Sequence, residues 1–146
     1  MMMNIPQITE ADIRPLATDQ SWSRGEDYYY SYRVEAIIWR DGLLIAEVEG
    51  SEYEPYIVQV EFDGNQICST NCTCPYDWDG DCKHIIAALL YLCHRRDDIE
   101  QRPSVNELIA SLSHSQLIEL ITDLSCLHPA IIEDIERIVS SGSYSS

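Results

Sequence analysis

The period of the apolar positions changes along the chain, and each change marks an element. Thr9 stands at the head of a short helical stretch, Glu10 to Leu16, as an N-cap. Ser21 or Ser23 caps a second helix running to Tyr32, with Trp22, Gly25 and Tyr29 on one face. The period then shortens to two. Val34 to Trp39 reads as a strand, and Asp41-Gly42 is a hairpin turn. Leu44, Ala46 and Val48 alternate with Ile45, Glu47 and Glu49, and Gly50-Ser51 breaks the run. Tyr56, Val58, Val60 and Phe62 give a third strand its apolar face. Asp63-Gly64-Asn65 turns the chain, and Gln66 to Thr73 returns as a fourth strand. The links are short, so these strands are expected as a four-stranded antiparallel meander.

A different pattern follows. Ile85 to Leu92 is apolar on every side, as in a helix buried all round. Arg95-Arg96 suits the negative end of its dipole. Asp97 to Arg102 reads as a linker. Ser104-x-x-Glu107 and Ser113-x-x-Gln116 are capping boxes. Leu117, Leu120, Ile121 and Leu124 lie at helical spacing. Pro129 opens a last helix carrying Ile131, Ile132, Ile135 and Ile138 or Val139. Ser140 to Ser146 reads as a serine-rich tail. The fold class is therefore α+β: N-terminal helices, the meander, a buried helix and a C-terminal helical segment. Two regions are expected, residues 1–96 and a helical extension over 97–146.

Chemistry concentrates between the fourth strand and the buried helix. Cys72-Thr73-Cys74 and Cys82-Lys83-His84 flank a turn-rich loop, Pro75 to Asp81. Three thiols and an imidazole at this range are the donors of a tetrahedral Zn²⁺ site. Residues two apart on a strand share a face, so Cys72 and Cys74 can aim at one metal. Pro75 ends ladder pairing. Asp81 is expected as the N-cap, which puts Cys82 and His84 at the first and third helical positions. Three thiolates and one Zn²⁺ leave a charge of about −1, which a helix N-terminus favours by about 0.3–1 kcal/mol. Four protein donors close the coordination sphere, so one structural Zn²⁺ is expected on Cys72, Cys74, Cys82 and His84.

Charge narrows the function. Twenty-five acidic residues face nine basic ones, for a formal net charge of −16. The excess runs along the whole chain. Such a surface repels phosphate backbones, whose binding rests on Lys and Arg. Arg24, Arg33, Arg40 and Lys83 are the candidate cations for nucleic acid, and Tyr28, Tyr29, Tyr30 and Tyr32 are candidates for base stacking. Four tyrosines so close on a helix point in several directions, which suits packing. Trp78 in the loop is the candidate anchor for a protein partner. The remaining soft groups read as structural. Cys68, on the ligand face by parity, is expected buried. Cys93 and Cys126 are expected in the core. His94, His114 and His128 are expected at helix ends. A Cys82–His84 thiol pair could serve catalysis, but the metal consumes both groups. With no Gly-rich phosphate loop or carboxylate pair, the reading is not an enzyme.

The N-terminus shows no basic, then apolar, leader, and the longest apolar run is too short for a membrane helix. Six cysteines without an export signal suit reduced thiols and metal, hence a cytoplasmic protein.

The words Cys74-Pro75-Tyr76 and Cys82-Lys83-His84, with C-x-C before and Ile-Ile-Ala-Ala-Leu-Leu after, resemble the SWIM zinc finger of bacterial proteins. Ser23-Arg24-Gly25, Tyr28-Tyr29 and Arg33-Val34 are similar to the lead-in before that finger, with Tyr32 where a glycine would be expected. The resemblance implies zinc on the same four residues, a ββα unit, and binding of DNA or protein. It further implies an association with SWI/SNF-type helicase-like ATPases. The expected function is a zinc-stabilised module for protein–protein interaction. The alternative is a nucleic-acid-binding finger acting with such an ATPase.

Overall fold

The computed structural model describes residues 4–50, 53–75 and 80–142. Trp78, the candidate anchor, and the end of the serine-rich tail lie outside the described residues. The fold is mixed α+β. Helix α1 (Glu10–Ile13) runs into a 3₁₀ turn (Arg14–Leu16), and α2 spans Asp19–Tyr30. Strands β1 (Val34–Arg40), β2 (Leu43–Val48), β3 (Tyr56–Asp63) and β4 (Gln66–Cys72) follow, then α3 (Lys83–His94). A second 3₁₀ turn (Arg96–Asp98) leads to β5 (Glu100–Gln101). Helices α4 (Val105–Ile109), α5 (His114–Leu127) and α6 (Ile131–Ser140) complete the chain. No helix among the described residues is long and apolar enough to cross a membrane.

The sheet order is β4-β3-β2-β1-β5. The first four strands pair antiparallel in sequence order, but the sheet is not a four-stranded meander. β5 adds a fifth strand, parallel to β1 through Ile38–Glu100 and Trp39–Gln101, and the sheet is mixed. The fifth strand has two residues and a partner some sixty positions away, so it leaves no local period to read.

One face of the sheet carries Trp39, Leu44, Ala46, Val48, Val58 and Val60, all essentially inaccessible. α3 packs on that face, and Ile85, Ile86, Leu89, Leu90 and Leu92 join the same cluster. Each such side chain contributes about 1.5–3 kcal/mol on burial. The all-round apolar character of α3 is explained by its neighbours, the sheet, α2 and α1. Gly25 of α2 meets Ile86, and Tyr29 meets Tyr91 and His94 further along.

The local signals are placed with small shifts. The cap of α2 is Thr18, whose hydroxyl accepts from Ser21 N–H at 3.1 Å, and not Ser21 or Ser23. Ser21 is buried within the helix. α2 ends at Tyr30 with Arg33 N–H on Tyr28 O (3.0 Å) and Tyr32 N–H on Tyr29 O (3.1 Å). That is the Schellman pattern, and it places Tyr32 in the left-handed region at φ 59°. Asp41 and Gly42, at φ 44° and 99°, form the hairpin turn between β1 and β2.

The chain divides into two compact units, the second beginning at Val105. Residues 97–104, at the head of the extension in the sequence reading, carry β5 and belong to the first unit. Arg102 N–H donates to Trp39 O at 2.8 Å, and Arg40 donates to Pro103 O at 2.6 Å. In the second unit, Ser113 and Gln116 form a reciprocal capping box on α5, at 2.9 and 3.1 Å.

Candidate metal centre

The end of β4 and the start of α3 meet at one point. Cys72 closes β4 opposite Val58. Thr73 then fastens the strand end to β3: its N–H donates to Ile57 O (3.1 Å) and its hydroxyl accepts from Ile57 N–H (2.9 Å). Cys74 follows beyond the ladder. On the far side of the loop, Gly80 has φ +75° and lies so close to Leu16 that an added Cβ would sit 2.8 Å from that carbonyl. Only glycine suits both conditions. Asp81 N–H donates to Leu16 O at 2.7 Å, so the first 3₁₀ turn fixes where the chain re-enters.

The N-cap of α3 is Cys82, not Asp81, and the helix begins at Lys83. The shift has a visible cause. Asp81 turns its carboxylate to Thr70, accepting its hydroxyl at 2.8 Å, and so ties the helix start to β4. Burial pushes the Asp81 carboxyl up from the ordinary carboxylate range, partly offset by the Thr70 bond. With Cys82 at the cap, His84 stands at the second helical position.

These elements bring the four sequence candidates together. The donor atoms of Cys72, Cys74, Cys82 and His84 all lie within 4.8 Å of one another. His84 Nδ1 is 3.8 Å from Cys72 Sγ and 3.7 Å from Cys82 Sγ. Ligands at Zn–S ~2.3 Å and Zn–N ~2.0–2.1 Å around a tetrahedral ion would stand about 3.6 Å apart. Nδ1 is therefore the nitrogen facing the site. The His84 ring packs against Tyr56 (4.6 Å between centroids) and Tyr28 (5.5 Å). Its Nε2 is buried with no hydrogen-bond partner among the described residues. Aromatic packing, in place of the usual carboxylate or carbonyl, holds this ring.

The thiols cannot all ionise here without a cation. The Cys72 hydrogen bond holds the Cys82 thiol down at about 4, against the opposing effect of burial. The same bond, with burial, pushes Cys72 far up. The cluster thus retains a proton that a divalent ion would displace. Three sulfurs and one imidazole, half-buried or buried and converging, fit a closed Cys₃His site for one structural Zn²⁺. Bound there, the ion would cross-link β4 to α3.

The other candidates disperse. Cys68 is exposed, against its expected burial. The ladder pairs Phe62 with Ile67 but Glu61 with Ser69, so Cys68 is the extra residue of a β-bulge and parity fails there. Cys93 is half-buried against the core, and Cys126 is exposed on α5, not in a core. His94 pairs with Glu10 at 2.9 Å; His114 begins α5 and His128 caps its end. Arg33 and Lys83 converge on Tyr28, 4.9 and 4.8 Å from its ring centroid. Arg40 is engaged with Pro103 O, and Arg24 is exposed. Tyr29 packs inward, while Tyr30 and Tyr32 are exposed. Thr70, Thr73, Leu16 and Tyr56 support the site through contacts distant in sequence, and no local signal announces them.

Comparison with protein-family models matches residues 56–93 to the SWIM zinc finger. The match runs from the start of β3 through β4 and the ligand loop to the end of α3, and contains all four donors. No curated protein and no solved structure matches the chain. Residues 56–93 are thus similar to a SWIM zinc finger, and within them Cys72, Cys74, Cys82 and His84 fit one structural Zn²⁺.

Proposed function

We propose that this chain is a non-catalytic, zinc-stabilised module for protein–protein interaction in the cytoplasm. The observation that carries the reading is the donor set: Cys72, Cys74, Cys82 and His84 converge within 4.8 Å of one another, and four such donors would close a tetrahedral Zn²⁺ and leave it no position for a substrate. The charge of −16 supports a partner with a basic surface. The family resemblance points to a helicase-like ATPase as the kind of protein that presents it.

A second reading rests on one specific observation. Arg33 and Lys83 flank Tyr28 beside the metal centre, and two cations around an aromatic ring are elements of a single-strand binding surface. Arg33 is also paired with Glu49 at 3.4 Å, however, which reduces what it offers a phosphate.

Affinity capture with the zinc-loaded full chain tests the first reading. The expected result is a protein partner that survives nuclease treatment and is released by salt. A partner released by nuclease would favour the second reading.

A further inference from the structure

The second unit buries none of its described side chains completely. In α5, Leu117 and Leu120 are half-buried, while Ile118, Ile121, Leu124 and Leu127 are exposed. In α6, Ile131 and Ile135 are half-buried, while Ile132, Ile138 and Val139 are exposed. Leu127 keeps 72% of its surface in water and Ile118 keeps 54%. A helical unit of this size lacks the core to stabilise itself alone, and contiguous apolar surface of this kind marks an interaction site.

The charges around the stripes select the occupant. Residues 105–142 carry Glu107, Glu119, Asp123, Glu133, Asp134 and Glu136 against one cation, Arg137. Arg137 is already held by Asp134 at 2.6 Å. Asp123 lies one turn from Leu120 and from Leu127, and Glu136 lies one turn from Ile132. Neither Asp123 nor Glu136 has an ion pair among the described residues. Both apolar stripes therefore have an unneutralised carboxylate at the rim. A second copy of the chain would bring acid against acid. A helix with one apolar face and lysines or arginines beside it matches the apolar and the acidic features together.

We infer that α5 and α6 form a docking surface for a basic amphipathic helix of a partner protein, on a part of the chain separate from the zinc site. The inference rests on the protein-interaction reading above and assigns that function a surface and a ligand chemistry.

The test uses the zinc-loaded full chain and a synthetic peptide of leucine and lysine, about 18 residues long, amphipathic as a five-turn helix. A sequence-scrambled peptide of equal charge and a leucine–glutamate peptide are the controls. Isothermal titration should show one amphipathic cationic peptide bound per chain and neither control. Ile121→Ser with Ile138→Ser should weaken binding by about tenfold or more. Asp123→Asn with Glu136→Gln should weaken it and reduce its salt dependence. All four positions are on the helix surfaces, and circular dichroism checks that helicity is kept. Equal binding of the scrambled peptide would overturn the inference, as would affinity unchanged in both variants. A stable dimer in light scattering, broken by Ile121→Ser with Ile138→Ser, would assign the face to a second copy instead. A captured partner lost with Cys82→Ser but retained by both helix variants would sink this surface and leave the protein-interaction reading standing.

Discussion

Gly25 of α2 lies directly against Ile86 of α3. A Cβ placed on Gly25 would stand 2.4 Å from Ile86 Cγ2, 2.6 Å from Ile86 Cβ and 3.3 Å from the Lys83 carbonyl. Ile86 is inaccessible and cannot swing away. The missing side chain therefore sets how closely the two helices approach, two residues along α3 from His84. Gly25→Ala gains about 1 kcal/mol in helix propensity and meets an overpacking cost of about 1–3 kcal/mol. The expected net result is a loss of about 1 kcal/mol, read as a lower urea midpoint of the zinc-loaded protein with an unchanged slope. A midpoint equal to or above wild type would show that α3 moves without cost.

Tyr32 makes the opposite case. It occupies the C′ position of the Schellman motif at φ 59°, and 79% of its surface is exposed. A non-glycine residue in that region costs about 1–2 kcal/mol, against about 0.5–1 kcal/mol for the extra freedom of an unfolded glycine. Tyr32→Gly is expected to stabilise the fold by about 0.5–1 kcal/mol. Thermal unfolding of the zinc-loaded variant checks this, and a lower midpoint would mean that the Tyr32 ring has a packing role.

The contrast between these two residues shows what the sequence makes legible. Gly25 belongs to a recognisable word before the finger, and Tyr32 departs from glycine in the same lead-in. The four zinc donors, the Asp41-Gly42 turn and the all-apolar α3 are likewise local patterns, readable because spacing alone specifies them. Features made by distant pairing are not. The bulge that expels Cys68 depends on how β4 meets Glu61 and Phe62 across the ladder. β5 exists because Ile38 and Trp39 offer an open edge to residues some sixty positions later. Asp81 has the composition of an N-cap, but Thr70 takes its carboxylate and Cys82 becomes the cap.

Metal removal is expected to act locally first. Apparent zinc-binding free energies of about 10–16 kcal/mol are typical of finger peptides, and here the ion would join two elements otherwise held by Asp81–Thr70 and by packing. Elemental analysis should give one Zn²⁺ per chain, with loss in Cys72→Ser, Cys82→Ser and His84→Ala. Excess chelator should disorder residues 72–84 and loosen α3, while circular dichroism retains part of the sheet signal. A fully unfolded spectrum would show that the core beneath α3 is insufficient without metal.

Zinc retention should also fall with pH, and the sign follows from the ligands. Binding requires every thiol deprotonated and His84 neutral at its donor nitrogen, so protons compete with the ion. In the metal-free site the Cys72 thiol is raised by its bond to Cys82 and by burial, while Cys82 is lowered by the same bond. Zinc would replace that bond, so acidification is expected to release the ion as protons return to the thiolates. A colorimetric zinc indicator followed from neutral pH downward should report rising release. Retention independent of pH down to the carboxylate range would contradict the assignment of thiolate donors.

The last prediction separates the two functional readings. Nucleic-acid affinity comes largely from counterions released by Lys and Arg contacts. This chain has nine basic residues against 25 acidic ones, and Arg33 and Lys83 converge on Tyr28 next to the metal centre. Two cations within a field of this sign attract a phosphate only inside the ~8 Å Debye length at physiological salt. Glu49 already takes part of Arg33. Fluorescence anisotropy with single-stranded and duplex oligonucleotides is therefore expected to show no binding tighter than about micromolar at physiological salt. Lys83→Glu and Arg33→Glu should leave that baseline unchanged. Salt-sensitive binding in the micromolar range or tighter, abolished by either substitution, would overturn the protein-interaction reading. It would identify Tyr28 and its two cations as a nucleic-acid surface.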